Sequence, residues 1–289
     1  MEESHKGQNG KLLLIGGSEL FHAASKWSLD TAAQFVDMVF YASVPSTNEL
    51  IQHAKGQFWN GIVIPRGEIP AYISEADCVL IGPGMERHEG SLSRSGADFE
   101  RELTAEEWNS DTELIVNHLL LRFPEKQWIL DAGALQMMHP EFLPQGAIMT
   151  PHQGELERIL QKLPSFKEIP LEKVLETDEH LLRAAAELHQ AVLVIKGKED
   201  IVIHSQTVVR IPGGNAGMTK GGTGDVLAGL VAALACTQES SVAAIVGSLS
   251  NKLAGNRLYE QQGVFFGASE LVQEVPKVVW QLVQANKQE

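Results

Sequence analysis

Short apolar runs recur along the chain and alternate with amphipathic stretches. Each run is long enough for one strand, and together they cover residues 12–15, 36–41, 62–64, 78–81, 128–130, 147–149 and 192–195. Residues 111–122 and 177–190, between these runs, have the apolar spacing of helices that bury one face. The repeated strand–helix order predicts an α/β fold with a central, mostly parallel sheet between two helical layers.

The last third of the chain departs from this simple alternation. Residues 201–210 have the pattern of a hairpin that turns at Ser205-Gln206. A glycine-rich loop then leads into predicted helices over 225–236 and 240–259, and a final helix is expected to begin near Ala268. We find no repeat or linker, so residues 1–289 are interpreted as one domain.

Two segments of this domain are expected to differ from its core. Residues 1–10 are predicted to be flexible. Residues 86–110 form the most charged stretch, for which we expect an exposed loop and the start of a helix.

Composition narrows the class of protein. Of the 289 residues 44% are hydrophobic, which is enough to bury a sizeable core. The two cysteines, Cys78 and Cys236, lie in apolar runs, which favours buried thiols in a reducing compartment over a disulfide or metal ligands.

Net charge and hydropathy indicate which partners to expect. With 37 acidic and 23 basic side chains the net charge is −14, which disfavours nucleic acid as a partner. The polar start lacks the apolar core of a signal peptide, and no run of about 18 apolar residues follows. We therefore predict a cytoplasmic protein with no membrane partner.

The strongest candidate for chemistry is the segment 212–225. It contains six glycines in fourteen residues and is followed at once by an apolar helix. Backbone N–H groups and the helix dipole at such a junction favour phosphate oxygens. Asp225 falls in the first helical turn, where a carboxylate is placed to accept a proton from a substrate hydroxyl. The alternative is that Asp225 merely caps the helix after a flexible loop.

Two common nucleotide motifs do not describe this segment. Lys220 precedes the final glycines and no Gly-Lys-Ser/Thr follows, so it is not a P-loop. The glycines of Ile15-Gly16-Gly17-Ser18 lack the dinucleotide-binding spacing, and we interpret them as a loop on the substrate side.

Several motifs together resemble a known family. Residues 221–229 resemble the Gly-Gly-Thr-Gly-Asp signature of the ribokinase-like superfamily, and four further segments resemble its NAD(P)H-hydrate dehydratase branch. These are Asn215-Ala216-Gly217-Met218-Thr219-Lys220, Thr150-Pro151-His152-Gln153-Gly154-Glu155, Ile81-Gly82-Pro83-Gly84 and Val194-Ile195-Lys196-Gly197-Lys198-Glu199-Asp200. They occur in the family order over about residues 11 to 280.

The resemblance implies a ribokinase-like fold and repair of hydrated NADH and NADPH with ADP or ATP as co-substrate. Asp225 would be the catalytic base, and Glu155 would act on Mg²⁺ through water. The implied nucleotide ligands are Lys196, Gly197, Lys198, Glu199, Asp200, Gly221, Gly222, Thr223 and Gly224. The implied substrate-side residues are Ala24, Gly84, Asp131, His152 and Asn215. A homo-oligomer, such as a tetramer, is also implied, with the helix around Trp27 and Leu29 at its interface.

The chain departs from the family pattern on the substrate side. Asp-Ala-Asp-Ala-Leu is replaced by Asp131-Ala132-Gly133-Ala134-Leu135, and Tyr-x-Gly-Ala by Phe21-His22-Ala23-Ala24. Two alternatives therefore stay open. One is a kinase of a small vitamin precursor, and the other is a nucleotide-binding protein without turnover. His152 and Glu155 also have a simpler interpretation, as residues that cap the start of a helix.

Overall fold

The centre of the protein is a nine-stranded sheet, seen in a computed structural model that describes residues 5, 7–53, 61–87, 94 and 96–286. The strands are β1 (Lys11–Ile15), β2 (Met38–Ser43), β3 (Gly61–Pro65), β4 (Cys78–Ile81), β5 (Gln127–Leu130), β6 (Ile148–Met149), β7 (Val192–Ile195), β8 (Asp200–His204) and β9 (Thr207–Ile211). Their order is β3-β2-β1-β4-β5-β6-β7-β8-β9. The first seven pair in parallel, whereas β8 and β9 complete the edge as an antiparallel hairpin.

Helices cover both faces of this sheet. In the described residues they are α1 (His22–Ala32), α2 (Pro45–His53), α3 (Ile69–Glu75), α4 (Gly96–Glu100), α5 (Ala105–Ser110), α6 (Thr112–Arg122), α7 (Ala132–Met137), α8 (Gln153–Gln161), α9 (Leu171–Glu176), α10 (Asp178–Glu187), α11 (Thr223–Ala235), α12 (Ser240–Gln262) and α13 (Ala268–Asn286). No helix in the described ranges combines the length and apolar character needed to cross a membrane.

Alternation along the strands explains the three layers. In β1, Leu13 and Ile15 join the core beneath α6, α7 and α8, while Leu12 and Leu14 join the opposite core beneath α1, α11 and α12. Successive side chains of a strand point to opposite faces, so a fully apolar strand must be covered on both sides. Helix α13 packs outside this second layer against α11 and α12.

The structure corrects two predictions in the amino-terminal region. The second strand begins at Met38 rather than residue 36, because the Val36 N–H still bonds to the Ala32 carbonyl at the end of α1. Leu29 does not lie at an oligomer interface, since it is fully buried inside the chain. Trp27 is likewise packed on the α11–α13 cluster.

The expectations for the amino terminus and the charged stretch fall partly on residues outside the described ranges. These are residues 1–4 and 6, and residues 88–93 and 95. The rest of the charged stretch contains the short helices α4 and α5.

The topology marks where a ligand is expected. Strand order reverses between β1 and β4, and in open α/β sheets ligands bind beyond the carboxyl ends of the strands at such a point. The loops after these strands touch, because the Gly17 N–H donates to the Pro83 carbonyl at 2.7 Å.

Candidate active site

The glycine-rich loop ends in a tight turn that starts α11. Gly222 has a φ of +95°, and a Cβ at this position would lie 2.3 Å from the indole of Trp27. Only glycine fits this left-handed, crowded position. The Thr223 hydroxyl donates to the carbonyls of Met218 and Lys220 at 2.7 and 3.0 Å. The loop is therefore fixed where the positive end of the helix dipole meets solvent.

A cavity of about 730 Å³ lies beside this turn. Its walls come from the start of α8, the loop between β7 and β8, the glycine-rich loop and α12. The residues that line it include His152, Gly154, Lys196, Gly197, Lys198, Asp200, Asn215, Met218, Thr223, Gly224, Asn251 and Lys252. The volume is within the range of small-molecule sites, and the walls offer several cations and amides to an anionic ligand.

The loop between β7 and β8 is held by a buried ion pair. The Asp200 carboxylate is 3.0 Å from the Lys252 ammonium, and both side chains are 5% exposed. Asp200 also accepts from Ser248 at 2.8 Å and from the Gly197 N–H at 3.0 Å. Lys252 donates to the carbonyls of Gly197 and Lys198. The Asp200 carboxylate is thus engaged by the protein and shapes the loop around the cavity.

A second ion pair lies deeper, at the carboxyl ends of β5 and β7. The Lys196 ammonium donates to Asp131 Oδ1 at 2.8 Å, and the Thr150 hydroxyl donates to the same oxygen at 2.7 Å. Burial alone would lower the pKa of Lys196, but the charges of Asp131 and Glu155 outweigh it and raise that pKa. Lys196 therefore stays protonated beside the first turn of α11.

Asp225 lies in that first turn, in the field of these charges. Burial, followed by repulsion from Asp131, raises the pKa of Asp225 from its ordinary value of 3.8 to about 7, against the opposing effect of Lys196. A carboxylate with a pKa near neutrality is well matched to accept a proton at physiological pH. Asp225 is the strongest candidate for a general base among the described residues.

A second cavity, of about 450 Å³, reaches Asp225 from the other side. It opens beyond β1, β4 and β5, and its lining comprises Leu20, Phe21, Ala24, Gly84, Met85, Glu86, Arg87, Ala132, Gly133, Gln136, His152, Glu155 and Asp225. His152 lines both cavities, and Gly224 of the first cavity precedes Asp225 of the second. The carboxylate is therefore placed where ligands in the two cavities meet.

His152 and Glu155 cap helix α8 as well as lining the site. His152 Nδ1 accepts from the Glu155 N–H at 3.2 Å, and the Glu155 carboxylate accepts from the His152 N–H at 3.0 Å. This reciprocal pair is a capping box. The capping interpretation is confirmed, and it is compatible with a role in the site, which stays a prediction, because the helix starts at the wall of the second cavity.

The lost carboxylate at position 133 has a steric reason. A Cβ on Gly133 would lie 2.3 Å from the carbonyl oxygen of Met85, which belongs to the backbone. The preceding Ala132 adopts a φ of +46°, a left-handed conformation that costs a non-glycine residue on the order of 1 kcal/mol. The chain therefore has no room for an aspartate here without moving the loop after β4.

Replacing Gly133 by Ala is expected to lower the free energy of unfolding by about 1–3 kcal/mol, since a Cβ must displace backbone. Urea denaturation measures the change. Gly67→Ala is the matched control, because a Cβ there meets nothing within 4 Å. Equal stabilities of the two variants would contradict the steric explanation.

The structure brings most of the predicted site residues together. Ala24, Gly84, His152, Glu155 and Asp225 line the second cavity, whereas Asp131 is buried outside its lining and pairs with Lys196. Asn215 lies in the first cavity instead, where its side chain bonds to the Gly217 N–H and the Gly255 carbonyl. Their contacts with ligands stay predictions.

The remaining predicted nucleotide ligands differ in their surroundings. Lys196, Gly197, Lys198, Asp200, Thr223 and Gly224 line the first cavity. Glu199 is exposed and lies 3.8 Å from Arg210. Gly221 and Gly222 shape the turn rather than the cavity wall.

Sequence reasoning missed Asn251 and Lys252 on α12 and Gln136 on α7. The available signal was a polar pair within a helix of small apolar residues, which identifies no partner by itself. The buried Asn251 Oδ1 has no hydrogen-bond partner in the described structure and belongs to a residue that lines the first cavity. It is therefore a further candidate ligand for a bound molecule.

Comparisons with solved structures support the architecture. A ribokinase-like superfamily protein from Enterococcus faecalis superimposes with a TM-score of 0.77 at 21% identity, covering 97% of this chain and 90% of that one. The ADP/ATP-dependent NAD(P)H-hydrate dehydratase of Bacillus subtilis, co-crystallised with ATP and Mg²⁺, gives 0.72 at 23% identity, covering 97% and 92%. At these identities the likeness establishes a ribokinase-like, three-layer α/β/α fold.

Sequence comparisons establish the family. The ADP-dependent (S)-NAD(P)H-hydrate dehydratase of Nitrosopumilus maritimus is 31% identical over 96% of this chain and 91% of its own length. A bifunctional NAD(P)H-hydrate repair enzyme of Methanocaldococcus jannaschii is 29% identical over 96% of this chain, which spans about half (49%) of that enzyme. The family model described as NAD(P)H-hydrate dehydratase matches residues 12–277, and the chain belongs to this family.

Proposed function

We propose that the protein dehydrates hydrated NADH or NADPH with ADP or ATP as phosphoryl donor. The observation that carries the proposal is Asp225, a carboxylate with a pKa of about 7 placed where two cavities meet. Family membership supplies the substrate class, and the archaeal relative of similar length is named for the ADP-dependent reaction. The nucleotide is assigned to the first cavity and the hydrated nicotinamide to the second.

The ring hydroxyl is a poor leaving group, and phosphorylation converts it into a good one. Asp225 accepts the proton of the ring hydroxyl, and the oxygen attacks the terminal phosphorus of the nucleotide, whose bridging P–O bond breaks. The phosphate then departs with the electron pair of the C–O bond. The neighbouring ring carbon loses a proton to water, and the electron pair of that C–H bond forms the double bond. Lys196 and the amino end of α11 offer positive charge to the phosphoryl group during its transfer.

Mg²⁺ is included in the proposal as a partner of the nucleotide. Within the described ranges no three His, Cys, Asp or Glu side chains form a metal site, so the protein alone offers no complete ligand set. Mg²⁺ keeps several waters and binds phosphate oxygens together with one or two protein carboxylates. Glu155 would contact it through water, and the ion would supply charge neutralisation on the phosphates.

The direct test follows absorbance at 340 nm after the protein is added to hydrated NADH with Mg²⁺ and either ADP or ATP. Recovery of absorbance supports the proposal and identifies the nucleotide. A stable phosphorylated alcohol, formed from a vitamin precursor instead, would favour the kinase alternative. Nucleotide binding without turnover of either substrate class would favour the non-catalytic alternative.

The pH profile is expected to report the base. Because Asp225 must be deprotonated, kcat/KM should rise with pH through an apparent pKa of about 7 and then level off. Lys196→Met removes the cation that opposes the raised pKa, so the rise should move to higher pH. Stopped-assay rates between pH 5 and 9 measure both profiles. A rise centred near pH 4 in the wild type would contradict the assignment.

We further propose that the protein is cytoplasmic and forms a homo-oligomer, for which a tetramer is the first candidate. Both cysteines are free thiols, which suits a reducing compartment. Since Leu29 is buried, exposed apolar side chains such as Phe265 and Trp280 are better candidates for a subunit interface. Sedimentation analysis that finds only monomer would exclude the assembly.

A further inference from the structure

Two arginines from different parts of the chain meet at one side-chain oxygen. Arg87, in the loop after β4, donates to Gln136 Oε1 at 3.2 Å, and Arg158, on α8, donates to the same atom at 2.8 Å. The two terminal nitrogens therefore lie at most about 6 Å apart. One neutral amide oxygen thus receives donors from two full positive charges.

The arrangement is unusual for this protein, whose net charge is −14. Most other described arginines pair with carboxylates, namely Arg94, Arg101, Arg122, Arg183, Arg210 and Arg257. Within the described ranges neither Arg87 nor Arg158 forms such a pair, although the chain has an excess of acids. Two guanidinium groups at this spacing, without a carboxylate partner among the described residues, repel each other and favour a shared anion.

The two arginines lie at the wall of the second cavity. Gln136 and Arg87 line this cavity together with Asp225. Lys162 holds the end of α7 in place, because its ammonium donates to the carbonyls of Gln136 and Met138 at 2.6 and 2.7 Å. The cations therefore lie on the substrate side of the base, separate from the nucleotide cavity.

We propose that Arg87 and Arg158 together bind a phosphate of the dinucleotide part of the hydrated substrate. The inference rests on the proposed function, which places the hydrated ring beside Asp225 in the same cavity. Each guanidinium carries five donors in a planar fork, so both keep donors for phosphate oxygens while bonded to Gln136. The phosphate is part of the pyrophosphate or is the 2′-phosphate of the NADPH form, and these two sources are separable by experiment.

The test compares the double variant Arg87→Gln/Arg158→Gln with the wild type on three hydrated substrates. These are the hydrates of NADH, of NADPH and of reduced nicotinamide riboside, which has no phosphate. The variant should raise KM for the dinucleotides about tenfold or more, with kcat and the KM for ADP or ATP unchanged. Its kcat/KM for the riboside should equal that of the wild type. Equal rises for both dinucleotides indicate the pyrophosphate, and a rise for the NADPH form alone indicates the 2′-phosphate.

Arg183→Gln is the matched control, since Arg183 is an exposed arginine of α10 that pairs with Glu187. A double variant whose KM values for both dinucleotides match those of an active wild type would overturn the inference. Inactive wild-type protein would instead count against the proposed function. In that case the fluorescence of bound NADH and NADPH decides the matter. A dissociation constant raised about tenfold in the double variant supports the subsite, and an equal one overturns it.

Discussion

Asp225→Asn is expected to abolish turnover while leaving the protein folded. Asparagine keeps the shape of the side chain but cannot accept the hydroxyl proton, so kcat should fall by about 10³-fold or more. The absorbance assay at 340 nm measures the loss, and nucleotide binding, followed by calorimetry, should persist. Asp178→Asn, at an exposed position of α10, is the control and should keep wild-type rates. Residual turnover within tenfold of wild type would remove Asp225 from the role of base.

The same substitution should stabilise the fold at neutral pH. The folded pKa of about 7 exceeds the ordinary value of 3.8, so the folded protein holds this proton more tightly than the unfolded chain does. The stabilising contribution of that proton is complete below about pH 4 and is lost as pH rises through 7. Asparagine avoids the loss, so its gain in unfolding free energy should be about 4 kcal/mol at pH 8 and near zero at pH 4. Urea denaturation at the two pH values measures the difference, and an equal effect at both would contradict the raised pKa.

Most of the sheet was predictable because its strands are continuous apolar runs. Strands β4 and β7 have the predicted bounds, because Asp77 precedes the apolar run of β4 and Lys196 follows that of β7. Strand β2 was placed two residues early, because Val36 is apolar but completes the turn after α1. That distinction depends on a backbone hydrogen bond, which hydrophobic periodicity does not report.

Some features of the site lie in one segment of sequence and were predictable, whereas others depend on contacts between distant segments. The glycine-rich loop and Asp225 lie in one segment, so glycine spacing and the helix start were enough to select them as candidates. The pairing of Asp200 with Lys252 joins residues 52 positions apart. The meeting of Arg87 with Arg158 likewise joins a loop and a helix. Only the strand order brings such residues together, and no local pattern encodes it.

Lys252→Met is expected to give a large loss of stability. The substitution leaves the buried Asp200 carboxylate without its cation and removes the donor to the Gly197 and Lys198 carbonyls. Removing one partner of a buried ion pair typically costs about 3–5 kcal/mol. Because this pair shapes the wall of the first cavity, KM for the nucleotide should rise as well. Urea denaturation and initial-rate kinetics measure the two effects.

A double variant tests whether the cost comes from the stranded carboxylate. In Asp200→Asn/Lys252→Met no unpaired charge is left, so part of the lost stability should return and the two changes should not be additive. Lys173→Met is the matched control, since Lys173 pairs with Glu176 at the surface, and an exposed pair of this kind is worth on the order of 0.5 kcal/mol. If Lys252→Met proved as mild as Lys173→Met, the loop around the first cavity would have to be held by Ser248 and the backbone alone. The buried ion pair would then be a consequence of the fold rather than a cause of the loop.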